Sequence, residues 1–138
     1  MEAFTAKPSP QLVGGSGSLA ELPACVQKSG GKKVLLVTDQ GIVDAGHAGR
    51  ATTLLEDAGV ACTVYDRTKA NPAERDILAA AEFAREASPD RFVGLGGGSS
   101  MDTAKGCNFL LTNGGSVSYT HLRAHETLRY LVCRLLLE

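Results

Sequence analysis

Phe92-Val93-Gly94-Leu95-Gly96-Gly97-Gly98-Ser99-Ser100-Met101-Asp102-Thr103-Ala104-Lys105 joins an apolar run to a helix-compatible run through three consecutive glycines. Residues 91–95 predict a core strand, Gly96-Gly97-Gly98 a flexible turn, and residues 99–111 a helix capped by Ser99 or Ser100. Glycines after a buried strand let a ligand approach the backbone closely. The helix that follows offers an anion its free N–H groups and the positive end of its dipole. Pyrophosphate suits that geometry. The spacing is not G-x-x-x-x-G-K-[ST], which disfavours a Walker-type site. It meets G-x-G from Gly94, but Ser99 stands where G-x-G-x-x-G needs its last glycine. The alternative reading is a glycine turn that only links strand to helix.

Upstream, strands and helices alternate. Val34-Leu35-Leu36-Val37 is a short, β-branch-rich run ending in Thr38-Asp39-Gln40-Gly41, and it suits a strand buried on both faces. A helix is expected over residues 42–57, from Ile42, Ala45, Ala51, Leu54 and Leu55, with Gly59 as its stop. A strand follows over residues 60–65. After a polar loop, Asn71-Pro72 forms a boundary, and residues 73–87 place Ile77, Leu78, Ala81, Phe83 and Ala84 on one helical face. Nearer the start, Leu12-Val13 suggest a short strand or hairpin. Ser18 is the expected N-cap of a helix through Leu19, Leu22, Cys25 and Val26 that ends at Gly30-Gly31, with Pro23 an awkward residue in its first turns. This alternation calls for an α/β fold with a doubly wound, Rossmann-like parallel sheet.

Composition narrows the partners. A chain of 138 residues with 43% hydrophobic content can bury one core but hardly two. A net charge of −1 gives no electrostatic reason to expect nucleic acid or a membrane surface, so a small molecule is the expected partner. No apolar stretch reaches membrane-spanning length, and the start of the chain lacks the basic and apolar regions of a secretory leader. Cys25, Cys62, Cys107 and Cys133 form no C-x-x-C and sit in apolar runs, which fits reduced thiols in a cytoplasmic protein.

Individual side chains carry further expectations. Asp39 ends the clearest strand, where open α/β sheets bind ligands. A carboxylate there accepts hydrogen bonds from ribose hydroxyls and repels a 2′-phosphate, which points to NAD over NADP. The alternative is a turn or N-cap aspartate before Ile42. Asn71 offers an amide to adenine or ribose, or is simply the first half of an Asn-Pro turn. His47 is read as solvent-facing, with no catalytic role. His121 and His125, with Glu126 beside them, imitate half of a zinc site but lack the order H-E-x-x-H, and no metal site is assigned.

After Asn113-Gly114-Gly115 the texture changes to Ser116-Val117-Ser118-Tyr119-Thr120-His121-Leu122-Arg123-Ala124-His125-Glu126-Thr127 and, further on, Leu131-Val132-Cys133-Arg134-Leu135-Leu136-Leu137-Glu138. Residues 117–127 and 131–138 resemble the conceptual translation of a transposon-type sequencing-library adapter, with residues 128–130 in the place of its variable index. Residues 116–138 are therefore expected to be a non-native tail, and residues 1–115 a truncated dinucleotide-binding domain. The alternative for the tail is an amphipathic C-terminal helix.

Residues 15–115 resemble the N-terminal domain of the iron-containing alcohol dehydrogenases, a group akin to glycerol dehydrogenase and dehydroquinate synthase. Residues 96–105 match its G-G-G-S-x-x-D-x-A-K signature. Gly15-Ser16-Gly17-Ser18-Leu19, the strand ending in Thr38-Asp39, Asn71-Pro72 and Leu111-Thr112-Asn113-Gly114-Gly115 follow in the family's order. The resemblance implies hydride transfer between an alcohol or aldehyde and NAD(P), with a divalent metal, iron or zinc, polarising the substrate oxygen. It implies that Gly97, Gly98 and Ser99 contact the pyrophosphate, Asp102 orders the nicotinamide side, Asp39 meets the adenosine ribose, and Asn71 lies beside the adenosine. Lys105 supports the site from the helix. The family's metal ligands belong to a helical domain absent from this sequence. The chain is thus expected to bind cofactor without catalytic residues of its own, the full-length enzyme being a homo-oligomer. Alternatives are a polyol dehydrogenase, a dehydroquinate-synthase relative or a non-catalytic nucleotide-binding module. A response-regulator receiver fails because the strands end in a lone Asp39 and in glycines, not in an acidic cluster with a phosphoacceptor.

Overall fold

The computed structural model of the chain describes residues 13–113 and 130–133. A 3-10 turn at Ser18–Glu21 leads into α1 (Leu22–Lys28), β1 (Lys33–Val37), α2 (Gln40–Asp44), α3 (His47–Asp57) and β2 (Ala61–Tyr65). Then follow α4 (Glu74–Ala87), β3 (Arg91–Leu95), α5 (Gly98–Asn113) and β4 (Tyr130–Cys133). The four strands form one sheet in the order β2-β1-β3-β4, every neighbouring pair parallel. In register, Leu36 lies opposite Val64 on one side and Val93 on the other.

Alternation along β1 divides the interior in two. Val34 and Leu36 pack with Leu22 and Val26 of α1, Ile42 of α2, and Ala51 and Leu55 of α3. Leu35 and Val37 point the other way, onto Ile77, Ala81 and Ala84 of α4 and Ala104, Cys107 and Leu110 of α5. Successive strand residues face opposite sides of a sheet, so an unbroken apolar run is the pattern that helices on both faces require. All four of these β1 residues are fully buried. The doubly wound, Rossmann-like reading therefore holds.

Three details differ from the sequence reading. The helix expected over residues 42–57 is two helices, because Gly46 takes a left-handed φ of 84° and caps α3 at its start. Ala45, counted among the apolar positions, is exposed at the end of α2. Ser18 does not cap an α-helix but begins the 3-10 turn, and α1 starts at Leu22, which puts Pro23 in the first turn where its missing N–H costs nothing. Finally, Tyr130–Cys133 is a strand on β3, not helix, in a segment set aside as tail. Its Tyr-Leu-Val content suits a pleated edge. The strand or hairpin expected at Leu12-Val13 lies partly outside the described residues, and Val13 itself is in no strand.

The end of the sheet where strands begin is stapled by side chains. The Asp90 carboxylate accepts from the Lys32 N–H at 2.9 Å and the Lys33 N–H at 3.1 Å. Arg91 donates to the hydroxyl and the carbonyl of Ser29, tying the loop after α1 to the first residue of β3. Among the described residues no helix is long and apolar enough to cross a membrane.

The α4–α5 contact depends on Gly106, where a Cβ would stand 2.6 Å from Ile77 Cγ2. Ile is stiff at this branch and fully buried, so the helices would have to separate. Replacing Gly106 with Val is expected to cost about 2 kcal/mol, read as a lower midpoint in urea unfolding. An unchanged midpoint would mean that the helices are not in close contact.

Candidate functional site

At β1 the chain reverses direction across the sheet. It leaves β1 through α2 and α3 over one face to reach β2, then returns through α4 over the other face to β3, on β1's opposite side. The carboxyl ends of β1 and β3 thus flank a topological switch point, the place where open α/β sheets leave a crevice for ligands. Thr38, fully buried just past β1, donates its hydroxyl to the Leu95 carbonyl at 2.8 Å and clasps the two strand ends together. The Thr68 N–H reaches the Thr38 carbonyl at 3.3 Å, drawing the loop after β2 to the same edge.

The glycine turn sits on this edge. Gly96 has a φ of 134°, a backbone conformation that L side chains rarely adopt. Gly97 and Gly98 are exposed, and a Cβ added to either would meet no atom within 4 Å. The Gly97 carbonyl accepts from the Met101 N–H at 3.3 Å, and α5 begins at Gly98. Ser99 and Ser100 are therefore inside the first turn, not before it. The N–H groups of that turn have no acceptor within the helix, and among the described residues no neighbouring atom crowds the Cβ positions of Gly97 and Gly98. Open backbone at the positive end of a 16-residue helix is an arrangement into which a dinucleotide phosphate fits.

The sequence-predicted residues divide into a group and an outlier. Gly97, Gly98, Ser99 and Asp102 share the start of α5, with Asp102 exposed and Ser99 half-buried, its carbonyl accepting from Thr103 Oγ1 at 2.8 Å. Asp39 joins them across the turn. Its Oδ1 accepts from the Ile42 N–H at 3.0 Å, which caps α2, while Oδ2 lies 3.5 Å from the point where a Gly96 Cβ would be. Asn71 is exposed on the loop between β2 and α4 and holds a left-handed φ of 49°, rare for a residue that carries a Cβ. Its side chain makes no hydrogen bond to the glycine turn. His47 is half-buried as the first residue of α3. His121 and His125 lie outside the described residues.

Sequence reasoning passed over Thr38 and Thr68, and saw Ser100 only as a cap. All three hydroxyls are buried, and those of Thr68 and Ser100 have no hydrogen-bond partner among the described residues. A polar residue closing a strand that is apolar on both faces was the available signal for Thr38. Among the described residues, no three His, Cys, Asp or Glu side chains converge as a metal site.

Elsewhere the ionisable groups serve structure. Burial pushes the Cys107 thiol up to about 12, so it is an inert core group. Burial also raises the Cys62 thiol, against a contact with Thr52 that lowers it. The Tyr65 hydroxyl is raised by burial, while Arg67 stands 5.8 Å from the centres of both the Tyr65 and Phe83 rings. Asp76 is held below the ordinary carboxylate value by the Ala73 N–H at 2.9 Å and by Lys69 at 3.1 Å, an arrangement that fastens the start of α4.

A Rossmann-like α/β domain with an open glycine turn at its switch point defines the class. The sequence profile described as iron-containing alcohol dehydrogenase matches residues 9–133, and the chain belongs to that family. Alcohol dehydrogenase 4 of Saccharomyces cerevisiae (strain YJM789) is 37% identical over 103 residues, 75% of this chain and 27% of that protein. The 4-hydroxybutyrate dehydrogenase of Cupriavidus necator is 40% identical over 102 residues, 74% of this chain and 26% of its own length. Among solved structures, NADH-dependent butanol dehydrogenase A of Thermotoga maritima superposes with a TM-score of 0.74 at 26% identity, over 84% of this chain and 29% of that one. The chain therefore spans roughly a quarter of the length of the curated relatives it matches.

Because the Asp76 carboxyl is lowered, its contribution to stability is full above its ordinary value of 3.8 and fades as pH falls through the lower folded value. Replacing Asp76 with Asn is expected to lower the melting temperature at pH 7, with the gap from the parent protein closing in acid below about pH 4. A gap that stays constant from pH 7 to pH 3 would contradict the assignment.

Proposed function

We propose that this domain is the cofactor-binding unit of an NAD(P)-dependent alcohol dehydrogenase, and that it cradles the pyrophosphate on the turn formed by Gly97, Gly98 and Ser99. The single observation that carries this reading is the unobstructed backbone of Gly97 and Gly98 at the start of α5, beside a carboxylate at the sheet's switch point. Asp102 orders the nicotinamide side, Asn71 flanks the adenosine, and Asp39 accepts from the adenosine ribose. The carboxylate's charge favours NAD over its 2′-phosphorylated form. A family relative described as NADH-dependent supports this cofactor class.

The reaction of the whole enzyme is hydride transfer between an alcohol, or a hydroxy acid such as the relative from Cupriavidus necator takes, and the nicotinamide ring. A divalent metal, iron or zinc, supplies Lewis-acid polarisation of the substrate oxygen when bound. The chain is assigned cofactor binding, with no catalytic residue of its own and no turnover by itself. On this reading residues 1–115 form the cofactor unit, β4 adds a strand at its edge, and the whole enzyme is a cytoplasmic homo-oligomer.

Replacing Gly98 with Asp places a carboxylate in the open space beside the pyrophosphate, and NAD binding measured by calorimetric titration is expected to be lost. The helix tolerates Asp at its first position, so the variant should still fold. Retained affinity in a folded variant would refute the phosphate assignment. A second variant tests the ribose contact: Asp39→Gly removes the charge, and affinity for NADP relative to NAD should rise about tenfold or more. An unaltered ratio would refute the ribose assignment.

A further inference from the structure

Ser100 stands at an unspecified position of the glycine signature, yet it is fully buried and its hydroxyl has no hydrogen-bond partner among the described residues. Buried polar groups are nearly always paired, so an orphan demands an explanation. Its surroundings supply one. The point where a Gly96 Cβ would stand is 3.1 Å from Ser100 Oγ, 3.5 Å from Asp39 Oδ2 and 3.3 Å from Ile42 Cγ1. Only glycine leaves that space open, so hydroxyl and carboxylate oxygen flank the same α-hydrogen. Asp39 uses Oδ1 to cap α2, which leaves Oδ2 as the carboxylate oxygen on the Gly96 side. A buried hydroxyl without a partner among the described residues thus sits across one glycine from the carboxylate oxygen that does not cap α2.

We infer that Ser100 is a positioning residue for Asp39: when a dinucleotide seats on the turn, the Ser100 hydroxyl donates to Oδ2 and fixes the carboxylate for the ribose. This rests on the proposed cofactor reading. With Oδ1 held by Ile42 and Oδ2 by Ser100, the carboxylate plane is set from two sides. The remaining lone pairs then meet the 2′- and 3′-hydroxyls of NAD in a fixed direction, and the full negative charge meets a 2′-phosphate. Freed of Ser100, the carboxylate turns away from a phosphate more easily, so discrimination weakens along with affinity.

The test is Ser100→Ala in the full chain, with NAD and NADP titrated separately, in the parent background and in Asp39→Asn. Alanine removes only an unpartnered hydroxyl from a helix's first turn, so the melting temperature without cofactor should not fall. NAD affinity should drop about tenfold, as for loss of a hydrogen bond to a charged group. NADP affinity should change little, which lowers the NAD:NADP preference, and in Asp39→Asn the same substitution should have no further effect on that preference. Equal weakening of both cofactors, an undiminished effect in Asp39→Asn, or no change in NAD affinity would each overturn the inference. Its failure is distinct from failure of the cofactor reading: the former leaves Gly98→Asp unable to bind NAD, whereas the latter leaves Gly98→Asp binding normally.

Discussion

The fold depends on β1 being buried on both faces. Val34, Leu35, Leu36 and Val37 leave no polar face for solvent, so helices must cover each side of the sheet. Right-handed crossovers then allow only one arrangement: the excursion through α2 and α3 puts β2 on one side of β1, and the return through α4 puts β3 on the other. The reversal creates the switch point, and the switch point puts Asp39 next to the glycine turn. The site is in this sense a by-product of four apolar residues.

The two ends of the sheet have opposite economies. Where strands begin, the Asp90 carboxylate pairs with backbone N–H groups of the α1–β1 loop and Arg91 with the Ser29 hydroxyl and carbonyl. Where strands end, the Thr38 hydroxyl is paired, while the buried hydroxyls of Ser100 and Thr68 have no hydrogen-bond partner among the described residues and Asn71 holds a left-handed φ. Unsatisfied groups and strained backbone cost stability, and they persist where the surrounding packing over-determines them. The close contact of α4 and α5 on one face, at Gly106 against Ile77, supplies part of that packing.

Much of this was legible in the sequence, for physical reasons. The core strand over residues 91–95 and the helix after Asn71-Pro72 were bounded by Gly and Pro, whose backbone restrictions act locally. The break at Gly46 was not, because a glycine inside an apolar-periodic stretch is compatible both with a continuous helix and with a left-handed cap. The strand Tyr130–Cys133 was missed for a different reason. Its conformation answers to the unpaired edge of β3, a partner distant in sequence, and a short apolar run has no periodicity of its own to declare. The glycine turn was visible as a motif, but the buried hydroxyls around it were not, since burial of a serine is decided by tertiary packing.

Asp39 shows how two readings that compete in sequence are compatible in space. As a cap it was the bland choice, as a ribose ligand the sharp one. The hydrogen bond from the Ile42 N–H uses one carboxylate oxygen and leaves the other beside Gly96. An exposed aspartate free to rotate would lose side-chain entropy on meeting a ribose and would bind it weakly. Anchored at Oδ1, the side chain has lost part of that freedom in forming α2, so the cap and the proposed ligand contact do not compete. The five-residue helix α2 is too short to be stable by itself, and the Asp39 cap satisfies one of its free N–H groups.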